Sequence, residues 1–366
     1  MSAFYVVLGP LLAVAASVAL GRVLIRWLRV ELHREEEWVL GFIAGSAGLS
    51  VLVASIAAAG YARKGAFVAL AAVPAALALW QARKPATKRL PPLPWPWAAL
   101  LVPLLAIFAA LYFANALMPE TAGGERLGMA FREWHTHRLA AFPDGMRMLF
   151  LFAFSFGRHP AAAVMHLVFL AALGLAVLCY GRRHGSPGVG AFAAAAVFTA
   201  PVAGVSAAGA LEDVALACAL FAVFYLLEAR RGWALALLPV VFALSLRHTL
   251  PAAFVFRGPR ELALWGTDSG GLLGPVFLLA PLSLLALRRR CGRRVLPAAA
   301  VLVLTGAADA RWIIPALPFL ALAIGFACER SRGVLPVLAV AAALFSCPPV
   351  TALYADPRAW RLEGWP

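Results

Sequence analysis

The residues of this chain that could do chemistry lie in a few short polar stretches between long apolar runs. The longest polar stretch extends from Met118 to Gly145 and contains Glu120, Glu125 and two histidines. A carboxylate directly after an apolar run can act as a general base toward a hydroxyl group, or can help to hold a divalent cation. An acidic side chain at the edge of a membrane fits the same pattern without any catalytic role, so both interpretations stay open.

A second acidic stretch contains Glu212 and Asp213, at the head of another apolar run. These carboxylates could belong to the same site. Acidic residues in the first turn of a helix also favour the positive end of the helix dipole, which explains them without any ligand.

Three cations lie near the ends of other apolar runs: Arg247, His248 and Arg311. Arginine can bind a lipid phosphate through two parallel hydrogen bonds. The alternative is that these side chains extend toward lipid headgroups without a specific ligand. His159 and His166 share a helix face, but no further ligand pattern accompanies them. We therefore predict no resident metal site, and a divalent cation is the one cofactor to consider.

The composition excludes a soluble protein. The chain has 366 residues, of which 63% are hydrophobic and 13% charged, whereas soluble domains carry about 25% charged residues. The net charge of +15 comes largely from arginines in short clusters between apolar runs. A nucleic-acid-binding protein would gather its basic residues on one soluble face. We therefore predict an integral membrane protein with membrane lipids, and no nucleic acid, among its partners.

The apolar runs predict an all-α, polytopic membrane protein. A helix needs roughly 20 apolar residues to cross a hydrocarbon core, and fewer when it is packed inside a bundle. On this criterion we expect about twelve transmembrane helices, near residues 3–27, 37–59, 65–81, 97–117, 160–180, 188–205, 211–228, 233–248, 272–287, 295–308, 312–328 and 334–350.

The basic clusters predict how these helices are oriented. Clusters such as residues 83–89 and 288–294 follow every second span, so all of them fall on one side if the spans alternate. The positive-inside rule makes that side the cytoplasm. The polar stretches with the candidate acids and cations then face outward, and we predict a multi-pass protein of a bacterial inner membrane.

A basic, proline-rich stretch from Ala82 to Pro96 divides the apolar runs. Proline cannot continue a helix and stiffens a linker. We therefore predict four regions: an N-terminal three-helix membrane unit (1–81), a cytoplasmic linker (82–96), a transmembrane core (97–350) with an outer loop (118–159), and a C-terminal tail (351–366).

Two short helices are expected in the outer loop. The segment Arg126 to Ala141 has apolar residues at roughly helical spacing, which is typical of an amphipathic helix that lies in the membrane interface. The apolar run from Met146 to Phe156 is too short to span a membrane. We therefore expect a re-entrant or juxtamembrane helix there.

Four segments between about Trp97 and Ala327 share their order and character with one known family. They are the outer loop after the first core helix, FPDGMRMLFLFAFSFGRH, LEDVALACALFAVFYLLE and RWIIPALPFLALAIG. This set resembles the GT-C superfamily of membrane glycosyltransferases, specifically the bacterial relatives of protein mannosyltransferases and of the lipid A aminoarabinose transferase. LEDVALACAL is similar to the acidic second-loop element of the family, and RWIIPALPFLAL to its arginine- and proline-containing pattern.

The resemblance implies a GT-C-like core and an enzyme that transfers a sugar from a polyprenyl-phosphate donor to an acceptor on the extracytoplasmic face. In that family an acid of the first outer loop acts as base on the acceptor or orients it. By position, the implied catalytic acids are Glu120 and Asp213, and the implied substrate-binding residues are Glu125, Glu212, Arg247, His248 and Arg311.

Departures from the family pattern keep other functions open. Family members usually have an aspartate in the first loop, where this chain has Glu120 and Glu125, and the segment between Phe254 and Leu272 is short. The main alternative is a non-catalytic, GT-C-like subunit of a larger membrane complex, with other membrane proteins as partners. A transporter is disfavoured because the ionisable residues collect at span ends and not at mid-span.

Overall fold

The computed structural model describes residues 3–81, 88–117, 144–209, 211–246, 273–306, 310–331 and 333–352. These residues are helical, with no β-strand among them, so the all-α prediction is confirmed. The predicted amphipathic helix at 126–141 lies outside the described residues.

Twelve α-helices and two 3₁₀ helices make up the described part of the chain. The α-helices are α1 (Ala3–Trp27), α2 (Arg34–Ala58), α3 (Lys64–Gln81), α4 (Trp95–Ala116), α5 (Gly145–Arg183), α6 (Pro187–Thr199), α7 (Pro201–Ala208), α8 (Asp213–Glu228), α9 (Trp233–Leu246), α10 (Gly292–Gly306), α11 (Leu317–Cys328) and α12 (Val334–Ala352). The 3₁₀ helices are Pro275–Arg288 and Ala310–Ala316.

Several of these helices are long and apolar enough to cross a membrane. Within the described ranges, four single helices meet that criterion: Phe4–Trp27, Arg34–Ala58, Trp95–Ala116 and Pro160–Arg183. The pair α6 and α7 makes a fifth span if the two are counted together. These helices indicate a membrane protein, and the number of twelve spans stays a prediction.

The chain bends sharply within α5 and between α6 and α7. The run from Met146 to Phe156 lies in the first part of α5 (Gly145–Gly157), and the part long enough to span a membrane is Pro160–Arg183, in agreement with the prediction of two separate segments. The rings of Phe150 and His166 lie 6.2 Å apart, whereas the 16 residues between them would extend about 24 Å in a straight helix, so α5 turns back sharply between its two parts. The span predicted at 188–205 is bent by 60° between α6 and α7. The bend follows from Pro201, which favours the first position of a helix and forces the preceding Ala200 into an extended conformation.

The first two helices pack tightly on each other and on α5. A Cβ atom at Gly21 would overlap the carbonyl oxygen of Gly41, and one at Gly45 would overlap that of Ser17. Small residues of this kind let helix backbones approach closely in a membrane. Helix α5 lies against both α1 and α2, so the N-terminal helices contact the predicted core directly.

One end of the bundle is held by a buried carboxylate. At this end, which we call the basic end, α2 begins while α5 and α8 end. Glu36 is fully buried and accepts hydrogen bonds from the Tyr225 hydroxyl at 2.7 Å and from an Arg183 terminal nitrogen at 2.8 Å. The backbone N–H of His33 donates to the same carboxylate at 2.8 Å. Burying a carboxylate is costly unless it is paired in this way.

The last residues of the predicted linker are tied to the same end. The N–H of Leu90 donates to Glu35 at 3.1 Å, while Arg182 donates to the carbonyl oxygens of Leu90 and Pro91. The opposite end, where α5 and α8 begin, carries a separate group of acids and is called the acid end below. This separation agrees with alternating spans, although which end faces the cytoplasm stays a prediction.

Candidate functional site

Three acids and one arginine meet at the acid end: Asp144, Glu212, Asp213 and Arg147. Asp144 and Arg147 come from the start of α5, and Glu212 and Asp213 from the start of α8. The Nε atom of Arg147 lies 3.3 Å from an Asp144 carboxylate oxygen and 3.5 Å from a Glu212 carboxylate oxygen. The arginine therefore joins two helix starts that are about 65 residues apart in the sequence.

Asp144 is fixed in place by its role as the N-cap of α5. Its side chain accepts hydrogen bonds from the N–H groups of Met146 at 3.0 Å and Arg147 at 3.5 Å. Aspartate is a favoured N-cap because it satisfies N–H groups that have no partner inside the helix. The side chain is 7% exposed, so the cap also holds a nearly buried negative charge beside Glu212.

Glu212 has a different role, although it stands at the corresponding position of α8. Its side chain makes no capping hydrogen bond. Partial burial raises the pKa of this carboxyl to about 9, together with its hydrogen bond to Asp144 and the negative charges of Asp144 and Asp213, while Arg147 opposes the rise. This environment favours the protonated form of the Glu212 carboxyl.

Asp213, the other acid at the start of α8, has a hydroxyl partner. It is half-buried in the first turn of α8, and the Ser206 hydroxyl donates to its carboxylate at 3.3 Å. Ser206 belongs to α7, so the contact fixes the short connection between α7 and α8. The sequence explanation by helix dipole applies to Asp213 but leaves the position of Glu212 unexplained.

His166 contacts the same connection between α7 and α8. Its ring Nδ1 lies 2.9 Å from the carbonyl oxygen of Gly209, the C-cap residue that follows α7. The side chain is fully buried and its ring meets Phe150 edge-on at 6.2 Å. Among the described residues its Nε2 atom has no hydrogen-bond partner. The sequence offered no further ligand pattern beside His166, and its position makes it a support for the acid-bearing connection.

Arg147 is placed to receive an anion. Its side chain is 55% exposed, and its contacts with Asp144 and Glu212 both run through Nε. A protonated Glu212 places no negative charge beside Arg147. An approaching phosphate is therefore repelled less than it would be if all three acids were ionised. A carboxylate beside a bound phosphate ester is then available to take a proton from a second substrate.

The structure brings together only part of the predicted site. Glu212 and Asp213 lie in one cluster, whereas Glu120, Glu125, Arg247 and His248 lie outside the described residues. For Arg311 the backbone alone is described. It lies in the first turn of the 3₁₀ helix Ala310–Ala316, which packs against α7 and α8.

Sequence reasoning did not select Asp144 or Arg147 as site residues. A signal was present in the segment PDGMR, because an aspartate followed by glycine and an apolar run is a helix start. The missing information was that this start lies beside that of α8. Within the described ranges, no group of three or more His, Cys, Asp or Glu side chains is arranged to hold a metal ion.

Comparison of the chain with protein-family models, curated proteins and solved structures gives no match.

Proposed function

We propose that this protein is a membrane glycosyltransferase that moves a sugar from a polyprenyl-phosphate donor to an acceptor hydroxyl at the outer face of a bacterial inner membrane. The observation that carries the proposal is the meeting of Asp144, Glu212 and Asp213 with Arg147 at one end of an apolar helix bundle. A transfer of this kind needs a carboxylate beside the acceptor and a cation beside the departing phosphate.

In the proposed reaction, the acceptor hydroxyl oxygen forms a bond to the anomeric carbon of the sugar. The bond between that carbon and the donor phosphate oxygen breaks, and its electron pair leaves with the phosphate. Asp213 takes the hydroxyl proton, and Arg147 stabilises the charge of the departing polyprenyl phosphate. Attack from the face opposite the phosphate inverts the configuration at the anomeric carbon.

The remaining residues have supporting roles in this proposal. Glu212, protonated, donates to Asp144 and keeps the approach to Arg147 open to an anion. Glu120 and Arg311 stay predicted members of the site, as the first-loop acid and a second phosphate-binding cation. A divalent cation could share the charge of the phosphate, in which case chelation would slow transfer.

The test is a transfer assay in liposomes that contain polyprenyl-phosphate mannose or polyprenyl-phosphate aminoarabinose. Release of polyprenyl phosphate is measured for the parent protein and for Asp213→Asn. Because a positioned general base contributes about 10²–10⁴-fold, we expect the variant to be slower by about that factor. The matched control is Glu31→Gln, which removes a carboxylate that is 57% exposed at the basic end.

An Asp213→Asn variant with the parent rate would contradict the proposal. A folded parent protein that releases polyprenyl phosphate from neither donor, and that co-purifies in fixed ratio with other membrane proteins, would instead support a non-catalytic subunit.

A further inference from the structure

A groove of about 340 Å³ lies between α2 and α9, next to the start of α5. This volume falls within the roughly 300–1,000 Å³ that is typical of ligand sites. The lining residues come from three helices: Ala47, Ser50, Val51, Ala54, Ser55 and Ala58 of α2, Val241, Phe242 and Ser245 of α9, and Gly145 of α5.

The groove exists because the facing side of α2 carries small side chains. Ala47, Ala54 and Ala58 recur there at helical spacing. Their short side chains leave open space along the second half of α2. On the opposite wall, Phe242 packs its ring against Phe169 and is nearly buried. The space beside the small residues of α2 is therefore not filled by a side chain of α9.

The polar atoms of the lining are already used within the protein. The Ser50 hydroxyl donates to the Ala47 carbonyl oxygen at 2.7 Å, and the Ser55 hydroxyl donates to that of Val51 at 2.9 Å. The Ser245 hydroxyl donates to the Phe242 carbonyl oxygen at 2.7 Å. With these hydroxyls satisfied, the groove presents an apolar wall and suits a hydrocarbon ligand.

The flank of the groove is open and apolar. Val51 and Val241 line it and are 54% and 47% exposed, and their neighbours Leu52 and Leu244 are 39% and 56% exposed. In a membrane-spanning helix such as α2, side chains of this kind face lipid. A hydrocarbon chain can therefore enter the groove sideways from the bilayer.

The groove reaches the start of α5, which also carries residues of the acid-end site. Gly145 lines it, and the Gly145 N–H donates to the Ser245 hydroxyl at 3.1 Å. The residue before Gly145 is Asp144, the N-cap that contacts Arg147. A Cβ atom at Gly145 would lie 2.7 Å from both Phe242 and Ser245, so glycine allows α5 to start directly beside the groove.

We propose that this groove holds the isoprenoid chain of a polyprenyl phosphate whose phosphate lies at Arg147. The inference rests on the proposed function for the identity of the lipid. It assigns a role to α2, a helix of the N-terminal unit that precedes the core, in binding the donor. The apolar groove suits a hydrocarbon chain, and Arg147 suits the phosphate at the end of that chain.

The test uses a polyprenyl phosphate that carries a photoreactive group in its chain, with a photoreactive phosphatidylglycerol as the ordinary-lipid probe. Both are irradiated with the protein in nanodiscs, and the labelled peptides are identified by mass spectrometry. We expect the polyprenyl phosphate probe to label residues 47–58 and 241–245 and the phosphatidylglycerol probe to label them several-fold less. Equal labelling by both probes, or no labelling of these segments, overturns the proposal.

A pair of matched variants gives the second measurement. Ala54→Phe fills the groove and should raise the apparent Kd for the polyprenyl phosphate probe by about tenfold. Ala72→Phe makes the same change on an exposed face of α3 and should leave it unchanged. An unchanged Kd in Ala54→Phe overturns the groove even if the parent protein transfers sugar. If Ala54→Phe reduces the labelling of a protein that transfers no sugar, the groove proposal is supported and the transferase proposal is rejected.

Discussion

At the residue scale, the neighbours of each buried carboxyl group decide what that group can do. Glu36 is surrounded by donors: an arginine, a tyrosine hydroxyl and a backbone N–H all point to it. Glu212 is surrounded mainly by other acids, with one arginine at 3.5 Å. The donors around Glu36 suit a carboxylate that stabilises the fold, whereas the acids around Glu212 favour its protonated form.

The proton on Glu212 predicts a pH dependence of donor binding. As the pH rises toward about 9, Glu212 loses its proton and adds a negative charge beside Arg147. Binding of polyprenyl phosphate, and transfer from it, should therefore weaken between pH 7 and 9.5 in the parent protein. In Glu212→Gln the side chain stays neutral, so the same titration should leave the apparent Kd nearly flat. A parallel decline in both proteins would assign the pH dependence to another group.

The same pKa has a consequence for stability, with a definite sign. The pKa of Glu212 in the folded protein lies above the value of 4.5 that it has when unperturbed. Its contribution to stability is therefore complete below about pH 4.5 and is lost as the pH rises toward about 9. A stability measured across this range should decline less in Glu212→Gln than in the parent.

At the element scale, polar contacts at the helix ends connect helices that are far apart in the sequence. The contact of Glu36 with Tyr225 joins residues 189 positions apart, and that with Arg183 joins residues 147 apart. These contacts lock the start of α2 to the ends of α5 and α8. The first helices are thereby held against the helices whose opposite ends carry the candidate site.

Removal of this lock should destabilise the whole bundle. Because Arg183 is 22% exposed and loses its buried partner, we expect Glu36→Ala to lower the free energy of unfolding by about 3 kcal/mol. The exposed pair of Glu31 and Arg230 gives the matched control, since Glu31→Ala should cost less than about 1 kcal/mol. Denaturant unfolding in detergent measures both, and equal losses would show that Glu36 contributes no more than a surface pair.

The sequence predicted the elements better than their contacts. Apolar runs determine where helices form, because a helix satisfies its own backbone in lipid, and the bounds of α1, α2 and α4 follow closely. The bend at Ala200 depends on packing and was not predicted. The short run at 146–156 was separated from the span that follows it, and α5 does turn between these two parts. Asp213 was selected from its position before an apolar helix, whereas Arg147 becomes a site residue only through its distance to Glu212.

At the scale of the whole molecule, the paired acids and arginines of the described residues form two separate groups in an apolar bundle. The basic end carries Glu36 and its arginine, and the acid end carries Asp144, Arg147 and the two acids of α8. The cytoplasmic assignment of the basic end is the prediction on which an outward-facing active site depends.

Cysteine labelling in intact bacterial cells tests that assignment. Tyr61 follows α2 at the acid end and is 67% exposed, and Arg230 is 75% exposed at the basic end. A membrane-impermeant maleimide should label Tyr61→Cys in intact cells and Arg230→Cys only after permeabilisation, each compared with the parent. The reverse pattern would place the acid end in the cytoplasm.

The most direct measurement is a cryo-electron microscopy map of the protein in nanodiscs with polyprenyl phosphate. The account predicts phosphate density within hydrogen-bonding distance of Arg147, beside Glu212 and Asp213, with the chain leading into the groove between α2 and α9. Phosphate bound among the arginines of the basic end, or an acid end that binds no lipid, would contradict it.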